Sequence, residues 1–217
     1  MTRVAWWGAV SSAAAPALLI GGWTLAASRQ ESSFDSVTGT ISALAGRGAD
    51  DRWLMTGALL GVGLCHVATA ASLRPARRPG RWLLAVGGLA TIGVALTPLP
   101  ADDSFSVGHA VAATTAFVSL AAWPALSSPG GMDAPWGLRP LVARVAAAVL
   151  LAAVAWFFVT AVVDGPAVGR AERVAAAAQS IWPAVVVFSA LAVQSSAASP
   201  SGDASSGRTG RARRPQR

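Results

Sequence analysis

The sequence predicts an all-α fold: a polytopic membrane protein built as a six-helix transmembrane bundle. Hydrophobic residues make up 53% of the 217-residue chain and charged residues only 12%, whereas soluble domains carry about 25% charged residues. Long apolar runs recur six times along the chain. A helix needs about 20 mostly apolar residues to cross about 30 Å of hydrocarbon, and each run is close to that length. Lipid is therefore the expected solvent.

The six predicted spans are bounded by charged segments or by segments rich in Gly, Pro and Ser. They cover residues 5–27, 53–73, 82–99, 107–126, 145–163 and 174–193. The first is longer than the 7–15 apolar residues of a typical signal peptide, so we expect it to be an uncleaved helix. Residues 1–193 then form the transmembrane domain. Residues 194–217 are rich in Ser, Gly and Arg, and this composition predicts a disordered basic tail.

Small residues allow helices to approach closely in lipid. Gly57 and Gly61 are therefore predicted to pack the second span against a neighbour. Pro124 and Pro183, each preceded by Trp, are predicted to bend the fourth and sixth spans, because proline removes a helical hydrogen bond.

The distribution of charge predicts the orientation. With the N-terminus inside, the cytoplasmic segments hold 12 of the 17 basic residues, and the outer segments hold eight of the ten acidic residues. Basic residues are retained on the cytoplasmic side, so both termini are predicted to be cytoplasmic. This asymmetry accounts for the pI of about 11.6 without nucleic acid as a partner. The expected partners are membrane lipids and another, unidentified membrane protein.

The first outer loop contains a short predicted helix. Thr40 is a suitable N-cap and Gly46 a suitable C-terminal stop. This helix is too short to span a membrane, so it either lies along the outer interface or plugs the mouth of the bundle. The three outer loops bring ionisable side chains to one face. The predicted ligand-binding residues are Ser42, Arg52, Asp102, Asp103, His109, Glu172 and Arg173.

Neither a metal nor a cofactor is expected. The single cysteine, Cys65, excludes an intramolecular disulfide. His66 and His109 lie about 20 Å and about 3 Å below the outer edge at 1.5 Å per residue, too far apart in depth to share a metal ion. His66 is either a neutral side chain bonded to a neighbour or a functional group within the membrane.

Several segments together resemble a known family. They include Thr40 to Ala45, Asp51-Arg52-Trp53-Leu54-Met55, Cys65-His66, Pro98-Leu99-Pro100, and His109-Ala110 leading to Phe117 and Trp123-Pro124. This pattern resembles the bacterial six-helix membrane family catalogued as domain of unknown function 998, in its actinobacterial form. The resemblance implies a six-helix bundle in the bacterial cytoplasmic membrane and no established activity. The outer-loop segment and the segment from His109 to Phe117 are also similar to eukaryotic DRAM-like six-helix proteins, which implies lipid handling.

The sequence leaves three functions open. The first is a non-enzymatic protein that binds or handles a lipid or small amphiphile at its extracytoplasmic face. The second is a structural or accessory membrane subunit. The third is a membrane-embedded hydrolase or transferase that uses His109 with Asp102 or Asp103. An enzyme is not favoured, because the chain has no nucleophile elbow, phosphate-binding loop or zinc motif.

Overall fold

Six long helices and one short helix make up the α-helical structure of the described residues. The computed structural model describes residues 3–31, 33–102, 104–131 and 133–198, and no strand occurs among them. The helices are α1 (Trp6–Ala27), α2 (Ile41–Leu44), α3 (Trp53–Ser72), α4 (Arg78–Leu96), α5 (Val107–Ser127), α6 (Pro140–Val162) and α7 (Val168–Ala198), with a 3₁₀ turn at Trp136–Leu138. All except α2 are long and apolar enough to cross a membrane. The predicted all-α fold is confirmed, with six helices long and apolar enough to span a membrane.

The six long helices pack in chain order, and the last returns to the first. α1 packs on α3, α3 on α4, α4 on α5, α5 on α6, α6 on α7, and α7 on α1. We call the end that carries residues 28–52, 97–106 and 163–167 the loop end. There the Arg47 N–H donates to the Leu99 carbonyl, and the Arg170 N–H donates to the Val37 carbonyl. The opposite end, which carries residues 73–77 and 128–139, is the tail end.

The outer surface of the bundle is apolar and its interior carries polar groups. Leu64, Val111 and Val162 are 61%, 62% and 86% exposed, whereas His66 and Gln179 are each 1% exposed. Lipid as the solvent produces this arrangement, because apolar side chains lose nothing by facing hydrocarbon. The four most exposed tryptophans lie at helix ends or near them, where amphipathic rings favour the membrane interfaces: Trp6, Trp53, Trp82 and Trp136.

The close approach between α3 and α4 uses a different glycine from those predicted. A β-carbon on Gly57 would meet nothing within 4 Å, so the packing role predicted for Gly57 is wrong, and one on Gly61 would meet only the Leu18 side chain. A β-carbon on Gly63 would lie 2.6 Å from the Gly88 carbonyl oxygen, and one on Gly88 would lie 2.7 Å from the Gly63 carbonyl oxygen. These two backbones meet directly.

Three helices extend beyond their apolar runs. α4 begins at Arg78 and α6 at Pro140, each with proline in the first two positions, where its missing N–H costs nothing. α7 begins at Val168 and continues to Ala198, past the predicted end at residue 193. Charged side chains at helix ends reach the interface, so hydropathy underestimates helix length. The rest of the predicted tail, residues 199–217, lies outside the described residues.

Candidate functional site

The short helix α2 plugs the bundle at the loop end. The Thr40 hydroxyl accepts a hydrogen bond of 2.9 Å from the Ala43 N–H, which is the predicted N-cap. Ile41 and Leu44 are 3% and 0% exposed and belong to a core cluster with Met55 of α3. The sequence allows α2 to lie either along the outer interface or in the mouth of the bundle. Its burial shows that it lies in the mouth.

A buried carboxylate of α7 holds α2 in place. Glu172 is 2% exposed, and its side chain accepts hydrogen bonds from the Ile41 backbone N–H and from the Ser42 hydroxyl, the latter at 2.9 Å. A buried carboxylate requires such partners, since desolvation otherwise destabilises it strongly. Two of the predicted ligand-binding residues, Ser42 and Glu172, are thus hydrogen-bonded to each other.

The next residue of α7 holds the chain that leads into α2. Arg173 Nη1 donates to the carbonyl oxygens of Ser36 at 2.8 Å, Gly39 at 2.6 Å and Gly169 at 3.0 Å. Charged donors make stronger hydrogen bonds than neutral ones. The start of α7 therefore fixes both the plug and the segment before it.

A cavity of about 60 Å³ lies beneath α2, between α1, α3, α4, α5 and α7. Its lining is apolar except for six polar side chains: Ser42, His66, Thr91, Glu172, Gln179 and Ser180. Water needs about 10–15 Å³ of such space and drug-sized ligands about 300–1,000 Å³. The cavity therefore has room for a few water molecules.

Two of these polar side chains have unused hydrogen-bonding capacity. His66 Nδ1 and Ser180 Oγ are buried and have no hydrogen-bond partner among the described residues. The Gln179 amide, in contrast, donates to the Phe117 carbonyl at 2.8 Å. An unsatisfied buried polar group costs about 1–3 kcal/mol. His66 Nδ1 and Ser180 Oγ are therefore available to form hydrogen bonds with a molecule in the cavity.

His109 and Asp102 lie apart from this cavity. His109 is 7% exposed, and its Nδ1 lies 2.9 Å from the Thr97 carbonyl oxygen, which can only accept, so Nδ1 carries the hydrogen. Asp102 is exposed, and hydrogen bonds from the Ser104 hydroxyl and N–H hold the pKa of its carboxyl below the ordinary value. In the described part of the chain, no hydrogen bond joins Asp102 to His109. Asp103 lies outside the described residues.

Arg52 lies at the other end of α2. Its guanidinium lies 4.1 Å from the centroid of the Trp53 ring, and its Nη1 is 3.5 Å from the Ala45 carbonyl oxygen. The structure thus divides the predicted set. Ser42 and Glu172 line the cavity, Arg52 and Arg173 hold the chain around it, and His109 binds the second loop. The predicted ligand-binding residues do not include His66 or Ser180, although a polar residue inside an apolar span is a sequence signal for such a site.

These features define a class: an α-helical membrane protein with six long helices, five of which surround a small cavity that a short helix plugs. The chain belongs to the family described as protein of unknown function (DUF998), whose model matches residues 12–189. The match begins within α1 and ends within α7, so it includes at least part of all six long helices, and the family is the one that the resemblance in sequence predicted. No curated protein and no solved structure matches the chain.

Proposed function

We propose that the protein binds a small amphiphilic molecule in the cavity beneath α2. The observation that carries this proposal is the pair of unpaired polar atoms, His66 Nδ1 and Ser180 Oγ, in an otherwise mostly apolar lining. Ligand sites typically combine apolar walls with a few polar groups that set orientation. Among the described residues, no group of three or more His, Cys, Asp or Glu side chains is placed to hold a metal ion, so a metal is not part of this proposal.

Because the cavity is small, the proposal requires α2 to move when the ligand binds. At about 60 Å³ the closed cavity cannot enclose a lipid. Ile41 and Ser42 of α2 form part of its wall, so displacement of α2 enlarges the cavity and opens it at the loop end. The hydrogen bonds from Ile41 and Ser42 to Glu172 are the local contacts that such a movement breaks.

We further infer that the loop end faces the extracytoplasmic side of a bacterial cytoplasmic membrane. The excess of arginine at the tail end supports this orientation. The amphiphile then enters from the outer leaflet or from the space beyond it.

The test fills the cavity without altering its polar groups. Ala116, 6% exposed, lines the cavity from α5, and Ala116→Leu adds bulk there. Val111→Leu is the matched control, because Val111 lies on the same helix and is 62% exposed. Native mass spectrometry and solvent extraction of the purified proteins measure the molecule retained. We expect wild type and Val111→Leu to retain it and Ala116→Leu to lose it.

Equal recovery from all three proteins, or no retained molecule in wild type, contradicts the proposal. The alternative of an accessory membrane subunit then takes its place, and its test is the recovery of a partner protein from native membranes.

A further inference from the structure

Four arginines gather at the tail end where α3 connects to α4: Arg74, Arg77, Arg78 and Arg81. No acidic residue occurs between Asp51 and Asp102, so neither α3, α4 nor their connection supplies a counter-charge. The charges that act on Arg81 are those of Arg74 and Arg78. Positive charge that α3, α4 and their connection leave unbalanced favours an anionic partner from outside.

A groove between α3 and α4 begins beside these arginines. Its volume is about 340 Å³, and Arg78, Arg81 and Trp82 line it together with Val67 and the small side chains of Ala70, Ala71 and Ala85. Trp82 is 71% exposed, so the groove opens on the outer surface of the bundle. It shares no residue with the cavity beneath α2. One end of the groove is cationic and the rest is apolar.

The guanidinium of Arg81 is fixed in its position. Its Nε donates to the Ala70 carbonyl at 2.8 Å and its Nη2 to the Ala71 carbonyl at 2.9 Å, in the last turn of α3, where carbonyl oxygens lack helical partners. Two of its five N–H groups are used in this way, which leaves three for a ligand. Arg78 lies three residues earlier in α4, so the two side chains share a helix face.

We infer that this groove binds an anionic phospholipid, with the phosphate at Arg78 and Arg81 and an acyl chain along Val67 and Ala85. Guanidinium groups suit phosphate because they offer paired donors, and basic pockets between transmembrane helices bind acidic headgroups. Trp82 has the amphipathic ring that favours the headgroup region. The apolar part of the groove is what distinguishes a lipid from a soluble phosphate as the occupant.

The experiment compares lipids of equal chain length on the full-length protein. Native mass spectrometry in detergent, with added phosphatidylglycerol or phosphatidylcholine, measures binding. We expect phosphatidylglycerol to bind more tightly, and Arg78→Gln to weaken it about fivefold. Arg78 is the better choice for substitution, because Arg81 also satisfies carbonyls of α3. Arg144→Gln, the same charge change at an exposed site of α6, should leave the affinity unchanged.

The apolar part is tested separately. Ala85→Phe fills the groove and should weaken phosphatidylglycerol binding, whereas Val86→Phe, at the neighbouring 40% exposed position, should not. Equal affinity for the two lipids overturns the inference, as does an equal loss in Arg78→Gln and Arg144→Gln. If millimolar inorganic phosphate is enough to displace phosphatidylglycerol, the groove binds a soluble anion and the inference is overturned.

Discussion

Glu172 is the residue on which the position of α2 depends. Its carboxylate accepts from both Ile41 and Ser42, and hydrogen bonds to charged groups contribute about 1.5–3 kcal/mol each. Glu172→Gln keeps the shape of the side chain but replaces one of its two oxygens with an amide group that can only donate. We expect amide exchange in residues 40–46 to rise about tenfold or more, measured by hydrogen–deuterium exchange in nanodiscs.

Asp50→Asn is the control for this prediction. Asp50 lies in the same loop and is exposed, and only its backbone forms hydrogen bonds among the described residues. An unchanged exchange rate in Glu172→Gln would show that apolar packing alone retains α2.

The imidazole of His109 contributes through one hydrogen bond to the Thr97 carbonyl. Asparagine places an amide N–H near the position of Nδ1, so His109→Asn should retain most of the stability. His109→Phe removes the donor and leaves the carbonyl without its partner, which costs about 1–3 kcal/mol. Thermal unfolding in detergent measures the difference. A normal melting temperature for His109→Phe, combined with a lost ligand, would instead give His109 a direct role in binding.

For single residues, the sequence allows contacts between near neighbours in the chain to be predicted, but not contacts between residues far apart in the chain. Thr40 caps α2 through Ala43, three residues away, and cap geometry depends only on such neighbours. Glu172 and Ser42 are 130 residues apart, and nothing in either local pattern identifies the other. His66 and Ser180 are polar residues in apolar spans, but their shared cavity depends on how α3 and α7 rotate within the bundle.

Among the helices, the contact between α3 and α4 has little room for added side chains. A side chain at Gly63 would meet the Gly88 carbonyl and Ile92, and overpacking costs about 1–3 kcal/mol. Gly63→Leu should therefore lower the melting temperature and the yield of monodisperse protein. Gly57→Leu adds the same side chain to the same helix where nothing lies within 4 Å, and it should behave as wild type. Equal effects of the two substitutions would mean that lost backbone flexibility, not contact, is responsible.

Gly57 and Gly63 show why helices are easier to predict from sequence than the contacts between them. Hydropathy over about 20 residues detects a span, because every residue of the span contributes to the average. Six positions of α-helix rotate the side chain by about 240°, so Gly57 and Gly63 face different directions. Composition alone does not determine which of them meets a neighbour.

Orientation concerns the whole molecule. If the tail end is cytoplasmic, alkaline phosphatase fused after Arg217 should be inactive, because it matures only outside the cytoplasm. The same enzyme fused after Pro100, in the loop-end connection before α5, should be active. The reverse pattern of activities would invert the proposed orientation and move the mouth of the cavity to the cytoplasmic side.

The hydrogen bonds that secure the plug have a consequence for how the protein is made. They join residues 130 and 137 positions apart, and a ribosome completes the segment around α2 long before it reaches α7. The hydrogen bonds of Glu172 and Arg173 at the mouth of the bundle therefore cannot form while four more long helices are synthesised. A chain that stops before α7 retains α2 without Glu172 or Arg173, so closure of the mouth marks a chain that has reached the start of α7. Proteases that remove incomplete membrane proteins would find residues 36–44 accessible in products that end before Glu172.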